Sequence, residues 1–249
     1  MQDEERLLAE VQDEFGLIRV YEVGDYRFLE FGAAVEQSCV FTPAPSWLEY
    51  DYTRAMLIGA LCHPAPETAL FLGLGAGTLT QACLEFLPLE DVEAIELRPA
   101  VPELAMRYLG LRNDSRLYIR VGDAVELLET AESADLIFVD LYTDVGPAAA
   151  HLAWNFLRQC QHKLAPGGWL IINQWGTDEG KPLGAALLRG LFHRHYWECS
   201  VKEGNVVLLV PADLEQTLDF AGLRERAAAL EPRLGYSLDS LIAALRPAS

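Results

Sequence analysis

Apolar and polar residues follow two different patterns along this chain, and the pattern changes near residue 69. Residues 17–42 alternate β-branched and aromatic residues with polar ones around a Gly24-Asp25 turn, which is typical of a small antiparallel sheet. Ahead of this segment, apolar residues fall near helical spacing and predict a short amphipathic helix over residues 1–15. The residues that carry this helical spacing are Leu7, Leu8, Val11 and Phe15.

From residue 69 onward the pattern becomes strand, helix, strand. Near-continuous apolar strands alternating with helical segments indicate a parallel sheet that is covered on both faces. Two late strands joined by a short turn at residues 203–205 predict an antiparallel hairpin at one edge of this sheet. The predicted segments are strands at 69–73, 91–97, 116–122, 134–140 and 168–175, a helix at 47–61 and a helical tail at 212–249.

Composition narrows the class of partner. The net charge of −18 repels nucleic acid and anionic membranes and is compatible with a cationic small molecule, although plain solubility is the favoured explanation. No apolar run approaches the roughly 20 residues of a membrane span, so we expect no membrane partner. The 5 cysteines are scattered without CxxC spacing, which favours reduced thiols, a cytoplasmic protein and no metal site.

The segment "FLGLGAG" at residues 71–77 is a strand that runs into a glycine turn before a helical stretch. Gly73, Gly75 and Gly77 let the backbone bend tightly and approach a ligand, although glycines also serve close strand–helix packing. The spacing is GxGxG, whereas dinucleotide folds usually have GxGxxG. Residues 70–90 contain no Lys or Arg to hold a pyrophosphate. The turn is similar to that of the S-adenosylmethionine-binding fold.

Three carboxylates follow neighbouring strands of the predicted sheet. Glu96 ends the second strand about 20 residues after the turn, where such folds hold a ribose diol. Asp123 follows the third strand and is placed for an exocyclic amine, but an aspartate there could equally cap the next helix. Asp140 ends the fourth strand before a loop, where capping is again the alternative. Because the carboxyl ends of parallel strands share one edge, we expect these side chains to line one crevice.

The order of these motifs resembles the spermidine synthase (polyamine aminopropyltransferase) family over most of the chain. The resemblance implies an α/β fold, namely a Rossmann-like parallel sheet of the class I methyltransferase type with an antiparallel edge hairpin. It also implies a small N-terminal β domain over residues 1–46 ahead of a transferase domain over 47–249. The matching motifs are Gln37, Tyr52, His63-Pro64, the 73–77 loop, Glu96, Gly122-Asp123-Ala124 and "DLYTDVGPA" at 140–148.

The resemblance also implies roles for individual residues. Asp140 becomes the general base that accepts a proton from an attacking amine. S-adenosylmethionine or its decarboxylated form becomes the co-substrate, a small-molecule amine the acceptor, and a homodimer the expected assembly. The implied contacts are Gln37, Gly73, Gly75, Gly77, Glu96, Asp123, Ala124 and Pro147 with the nucleoside, and Tyr52, Tyr142 and Asp144 with the acceptor.

Four positions depart from the family pattern, and all four lie on the polyamine side. Ala76 replaces the aspartate of the glycine loop and Thr143 replaces the second acid of the DxxD segment. Thr53 and Val201 stand at two further polyamine positions. The sequence therefore predicts a retained nucleoside pocket with an acceptor other than putrescine. A methyltransferase and a non-catalytic nucleoside-binding protein are the alternatives, with a dehydrogenase more distant.

Overall fold

The computed structural model describes residues 4–32, 35–143, 146–148, 153–213 and 215–248, without the side chains of residues 35–37. It contains a four-stranded N-terminal sheet and a mixed, mostly parallel eight-stranded sheet. The predicted α/β fold class is thereby confirmed. Among the described residues, no helix is long and apolar enough to cross a membrane.

The N-terminal sheet is antiparallel throughout and corrects one prediction. The helix predicted over residues 1–15 is wrong, because that segment supplies the first strand. A bulge between Leu7 and Ala9 shifts the pairing register, so the apolar residues lose their strict alternation and imitate helical spacing. The strands, in spatial as well as chain order, are β1 (Arg6–Asp13), β2 (Gly16–Val23), β3 (Tyr26–Phe31) and β4 (Val35–Phe41).

The large sheet has five parallel strands and an antiparallel edge. Its order is β14-β12-β13-β11-β8-β5-β6-β7, and the predicted edge hairpin is confirmed as β12 and β13. Two short strands, β9 (Tyr142–Thr143) and β10 (Gly146–Pro147), pair separately above it. The strands of the large sheet are β5 (Thr68–Leu72), β6 (Asp91–Glu96), β7 (Leu117–Val121), β8 (Ala134–Val139), β11 (Leu164–Trp175), β12 (Trp197–Ser200), β13 (Asn205–Pro211) and β14 (Arg246–Pro247).

Helices cover both faces of the large sheet, as the apolar strands require. Successive residues of β8 point to opposite faces, with Phe138 in the cluster under α1, α2, α7 and α8 and Ile137 in the cluster under α5 and α6. The helices are α1 (Asp51–Leu61), α2 (Thr78–Phe86), α3 (Ala100–Tyr108), α4 (Ala124–Leu127), α5 (Trp154–His162), α6 (Ala185–Leu191), α7 (Phe220–Leu234) and α8 (Asp239–Ala244), with a 3₁₀ turn at Leu128–Thr130.

The N-terminal sheet is fixed to the large sheet beside α3. Ile18, Val20 and Leu29 pack with Val101 and Leu104 in a third apolar cluster. Next to this cluster the Arg98 guanidinium bridges to the Asp13 carboxylate at 2.5 Å and lies over the Phe31 ring. This contact ties the end of β1 and Phe31 of β3 to the loop after β6, at the carboxyl edge of the large sheet. The predicted domain boundary at residue 46, between β4 and α1, stays a prediction.

Candidate functional site

A cavity of about 550 Å³ opens at the carboxyl edge of the parallel strands. Loops that follow β5, β6, β7 and β8 form its floor, β3 and β4 form one wall, and the start of α1 and the β12–β13 turn form the other. This is the crevice at which open α/β sheets bind ligands. The lining residues include predicted ones, namely Tyr52, Gly73, Gly75, Glu96, Asp123, Ala124, Asp140 and Tyr142.

The glycine turn is shaped by close backbone packing. Gly73 has a φ of +97°, and a Cβ there would collide with the backbone oxygen of Asp140. Gly75 has a φ of +55°, and its Cβ would lie 2.8 Å from the Ser38 hydroxyl oxygen. Larger residues at either position would push the turn away from β8 or β4. The glycines therefore bring the floor and one wall of the cavity together.

Glu96 fastens the glycine turn to the end of β6. One carboxylate oxygen accepts hydrogen bonds from the backbone N–H groups of Leu74 at 3.0 Å and Gly75 at 3.4 Å, and the other accepts from Arg98 N–H at 3.0 Å. Burial raises the pKa of Glu96, and the three N–H donors oppose that rise. Glu96 thus holds the loop as well as lining the cavity, a structural role that its position in the sequence did not reveal. The ribose contact stays a prediction.

Asp123 has the capping role that the sequence left open. It is the N-cap of α4, and its carboxylate accepts a hydrogen bond from the Val125 N–H at 2.7 Å. The same side chain lines the cavity, as does Ala124 in the first turn of the helix. One residue therefore orients α4 and faces the ligand space, so capping does not exclude the predicted nucleoside contact.

Asp140 lies at the end of β8, partly exposed to the cavity. Asn173 donates a hydrogen bond from Nδ2 to Asp140 Oδ1 at 2.8 Å. Burial raises the pKa of Asp140 to about 6, which the Asn173 donor partly counteracts. A carboxyl with such a pKa can accept a proton near neutral pH. The structure brings Asp140 to the same cavity as Glu96 and Asp123, as predicted.

The cavity is strongly acidic. Four carboxylates line it, from Glu96, Asp123, Asp140 and Glu203, and none of its described lining residues is Lys, Arg or His. Such a lining attracts cations and repels anions. Within the described ranges no three His, Cys, Asp or Glu side chains are grouped to hold a metal ion.

Aromatic side chains surround the opening next to Asp140. Tyr50 and Tyr52 stack with ring centroids 5.8 Å apart, and Tyr142 lies 6.3 Å from Trp175. The Asp51 N–H at the start of α1 donates to Glu203 at 3.0 Å, so the tyrosine pair is joined to the β12–β13 turn. This region, comprising Tyr50, Tyr52, Tyr142, Trp175 and Glu203, is called the acceptor side below. Aromatic faces also attract cations.

Several predicted residues lie away from the cavity lining or outside the described residues. Gly77 is the N-cap of α2 and Pro147 belongs to β10, and neither lines the described cavity. The Gln37 side chain and Asp144 lie outside the described residues. Their nucleoside and acceptor contacts stay predictions.

The four departures from the polyamine pattern have ordinary structural surroundings. Ala76 is 2% exposed and packs in the cluster beneath the N-terminal sheet. Thr53 donates to the Tyr50 carbonyl at 2.8 Å, and Val201 packs against the main core. Thr143 lines the cavity and donates to the Gly146 carbonyl at 3.0 Å. None of these positions carries a charge toward an acceptor.

Sequence reasoning missed the polar and aromatic residues at the far ends of β11 and β13. Asn173, Trp175 and Asn205 all line the cavity, together with Glu203. Asn173 is only 2% exposed and directly follows the apolar residues 170–172 of β11. A buried amide at the carboxyl end of a central strand was the available signal, because buried polar groups need partners.

Comparison with known proteins agrees with this geometry. The Spermine/spermidine synthase domain matches residues 51–180, which is 130 of the 249 residues. The chain belongs to the spermine/spermidine synthase family. It is a transferase of this polyamine aminopropyltransferase family, whose members use decarboxylated S-adenosylmethionine as aminopropyl donor.

Individual relatives point to two kinds of transferase. A polyamine aminopropyltransferase of Vibrio vulnificus is 27% identical over 201 residues, which covers 77% of this chain and 67% of that protein. Spermidine synthase in complex with the transition-state analogue AdoDATO gives a TM-score of 0.76 at 16% identity, over 96% of this chain and 84% of the other. Human methyltransferase-like protein 13 in complex with SAH gives a TM-score of 0.64 at 25% identity, over 74% of this chain and 92% of the other. The family likeness therefore leaves the transferred group to be decided by the site.

Proposed function

We propose that this chain transfers an aminopropyl group from decarboxylated S-adenosylmethionine to a small amine other than putrescine. The observation that carries this proposal is the acidic lining of the cavity. S-adenosylmethionine brings a carboxylate that no cationic side chain of the described lining would meet. The decarboxylated donor brings a sulfonium and an ammonium, both of which favour a lining with four carboxylates.

Asp140 serves as the general base in this proposal. The acceptor nitrogen must be unprotonated to attack the propyl carbon next to sulfur. The new C–N bond forms as the C–S bond breaks, the electron pair returns to sulfur, and methylthioadenosine leaves. The proton lost from nitrogen passes to Asp140, whose pKa of about 6 suits proton acceptance near neutral pH. The glycine turn, Glu96 and Asp123 hold the nucleoside.

An acceptor other than putrescine is inferred from Ala76, Thr53, Thr143 and Val201. In the family pattern two of these positions carry acids, whereas here they are neutral. We expect putrescine to be a poor substrate even with the decarboxylated donor. A homodimer and a cytoplasmic location stay predictions.

A methyltransferase is the second candidate. The likeness to human methyltransferase-like protein 13 favours it, since that protein is 25% identical and was solved with SAH. In place of a cationic side chain, backbone N–H groups of the glycine turn would have to leave their present partners, Glu96 and Ser38, to bind the donor carboxylate. The acceptor would then take a methyl group, and S-adenosylhomocysteine would leave.

A transfer assay separates the two candidates. Each donor is incubated with the protein and a panel of mono-, di- and polyamines, and the nucleoside product is identified by chromatography. Methylthioadenosine formed from the decarboxylated donor, dependent on an amine other than putrescine, is the expected result. S-adenosylhomocysteine formed from S-adenosylmethionine would establish methyl transfer instead. Turnover of putrescine at the ordinary enzyme range of about 1–1000 per second would overturn the acceptor inference.

A further inference from the structure

Behind Asp140, three side chains form one hydrogen-bonded group. Tyr142 OH donates to the Asn173 backbone carbonyl at 3.3 Å, and Asn205 Nδ2 lies 3.5 Å from Tyr142 OH. Asn205 Nδ2 also donates to Asn173 Oδ1 at 2.9 Å, and Asn173 Nδ2 donates to Asp140 Oδ1 at 2.8 Å. The group joins β9, β11 and β13 to the end of β8.

The Asn173 backbone carbonyl determines which group donates in each of these hydrogen bonds. A backbone carbonyl can only accept, so the Tyr142 hydroxyl must donate to Asn173 O. Burial raises the pKa of Tyr142, which keeps this proton in place. The Tyr142 oxygen then accepts, so Asn205 presents its NH₂ group to it and to Asn173 Oδ1. Asn173 must consequently turn its own NH₂ group toward Asp140. The orientations of the Asn173 and Asn205 side-chain amides are thus both fixed by the Tyr142 hydroxyl.

We propose that Asn173 and Asn205 are positioning residues for Asp140. Asn205 and Tyr142 fix the amide of Asn173 so that its NH₂ group donates to Oδ1 of the carboxylate, which leaves Oδ2 for the proton of the acceptor amine. This inference rests on the proposed role of Asp140 as general base. Within the described part of the chain, no hydrogen bond is found to Oδ2.

The hydrogen bond from Asn173 and the burial of Asp140 have opposite effects on the pKa of this carboxyl. Burial disfavours its ionised form and raises its pKa, whereas the Asn173 N–H favours the ionised form. A protonated Asp140 cannot act as a base, so the N–H donor keeps the side chain usable near neutral pH. Asp140 also lines a small adjoining cavity, and the other titratable groups that line the two cavities are Cys39, Glu49, Tyr50, Tyr52, Glu96, Asp123, Tyr142 and Glu203.

The substitution Asn205→Asp is expected to reverse the direction of the hydrogen bonds at Asn173, with little change in side-chain size. An aspartate at 205 only accepts, so it draws the Asn173 NH₂ group toward itself and turns Asn173 Oδ1 toward Asp140. The carboxylate then faces an acceptor instead of a donor. Loss of a hydrogen bond to a charged group corresponds to about one to two pKa units, so we expect the pKa of Asp140 to rise by that amount.

A matched control separates orientation from added charge. Lys202→Gln changes the net charge by the same amount on the same β12–β13 turn, at a side chain that is 67% exposed and outside the cavity lining. Lys202 also pairs with Glu203 at 3.8 Å, but an exposed pair contributes only about 0.2–1 kcal/mol, so the pKa of Asp140 is expected to change by well under one unit. Asn173→Ala removes the donor itself and gives a second, independent variant. It should raise the pKa of Asp140 without adding any charge.

The test is a carboxyl-carbon NMR titration of Asp140 in wild type and the three variants, with acid-limb profiles of kcat/KM measured alongside. Support requires that Asn205→Asp and Asn173→Ala shift the titration and the acid limb upward together, well beyond Lys202→Gln. Equal shifts in Asn205→Asp and Lys202→Gln, or no shift in Asn173→Ala, would overturn the inference. Shifted titrations without any transfer activity would instead count against the proposed function alone.

Discussion

The donor side and the acceptor side of the cavity are held in place by different kinds of contact. On the donor side, formed by the glycine turn, Glu96 and Asp123, the two carboxylates accept hydrogen bonds from backbone N–H groups of the glycine turn and of the first turn of α4. Next to the acceptor side, Asn173 and Asn205 bond to each other across the antiparallel strands β11 and β13, and Asn173 also bonds to Asp140 at the end of β8. Backbone groups are present whatever the sequence, whereas a side-chain network depends on each member. The donor side can therefore persist while the acceptor side changes its specificity.

Asp140→Asn should have the largest effect, because it should abolish most of the turnover while leaving nucleoside binding unchanged. Asparagine has nearly the same size and still accepts from Asn173, but it cannot take a proton. We expect kcat to fall by about 10²–10⁴ while the Kd for methylthioadenosine is unchanged. Product formation and calorimetry measure the two quantities. Glu179→Gln removes an exposed carboxylate elsewhere and serves as the control. Normal turnover in Asp140→Asn would remove Asp140 from the mechanism.

The same substitution should stabilise the folded protein near neutral pH. Burial raises the pKa of Asp140 from 3.8 to about 6, so the folded state binds more protons than the unfolded state between these values. Wild-type stability therefore falls as pH rises through this window, and the penalty is complete above it. Asp140→Asn removes about 2–3 kcal/mol of this penalty at pH 7 and only about 0.5 kcal/mol at pH 4. Thermal unfolding at both pH values measures this, and equal shifts would contradict it.

On the donor side, Glu96→Gln tests the predicted ribose contact. Gln keeps one oxygen for the N–H groups of Leu74 and Gly75 but loses the charge, so methylthioadenosine affinity should fall by roughly tenfold or more. Glu93→Gln is the matched control on the same strand, since Glu93 pairs with Arg120 outside the cavity lining. Calorimetry gives both dissociation constants. The ribose assignment is lost if folded Glu96→Gln binds as tightly as wild type.

The smallest effect is expected from Trp175→Ala on the acceptor side. Trp175 is 45% exposed, lies over Gly146 and faces the cavity beside Tyr142. Loss of an exposed cation–π contact of about 0.5–1 kcal/mol should raise the acceptor KM by roughly two- to fivefold and leave nucleoside binding unchanged. Trp154→Ala, at a tryptophan that is 43% exposed on α5, is the control. An equal rise in both variants would show that Trp175 does not contact the acceptor.

The carboxylates of the cavity could be predicted from the sequence, whereas the asparagine network next to Asp140 could not. Glu96, Asp123 and Asp140 each follow an apolar strand, and parallel strands bring their carboxyl ends together, so one crevice was predictable. Asn173 and Asn205 are 32 residues apart and meet only through the pairing of β11 with β13. Their network therefore could not be read from spacing.

The N-terminal error has a different physical cause. A strand with a bulge loses its alternation, and the bulge near Leu7 gave β1 the apolar spacing of a helix. Tertiary pairing with β2, rather than local pattern, decides the conformation of that segment. The hairpin at β12 and β13 lacks such a bulge in its register, and its prediction was confirmed.

The central claim is that the acidic cavity selects a donor without a carboxylate. Calorimetric titration of the wild-type protein with decarboxylated S-adenosylmethionine and with S-adenosylmethionine, under one buffer and salt condition, tests it directly. The account predicts that the decarboxylated donor binds at least tenfold more tightly, which corresponds to about 1.4 kcal/mol. Equal or tighter binding of S-adenosylmethionine would contradict the account and favour methyl transfer.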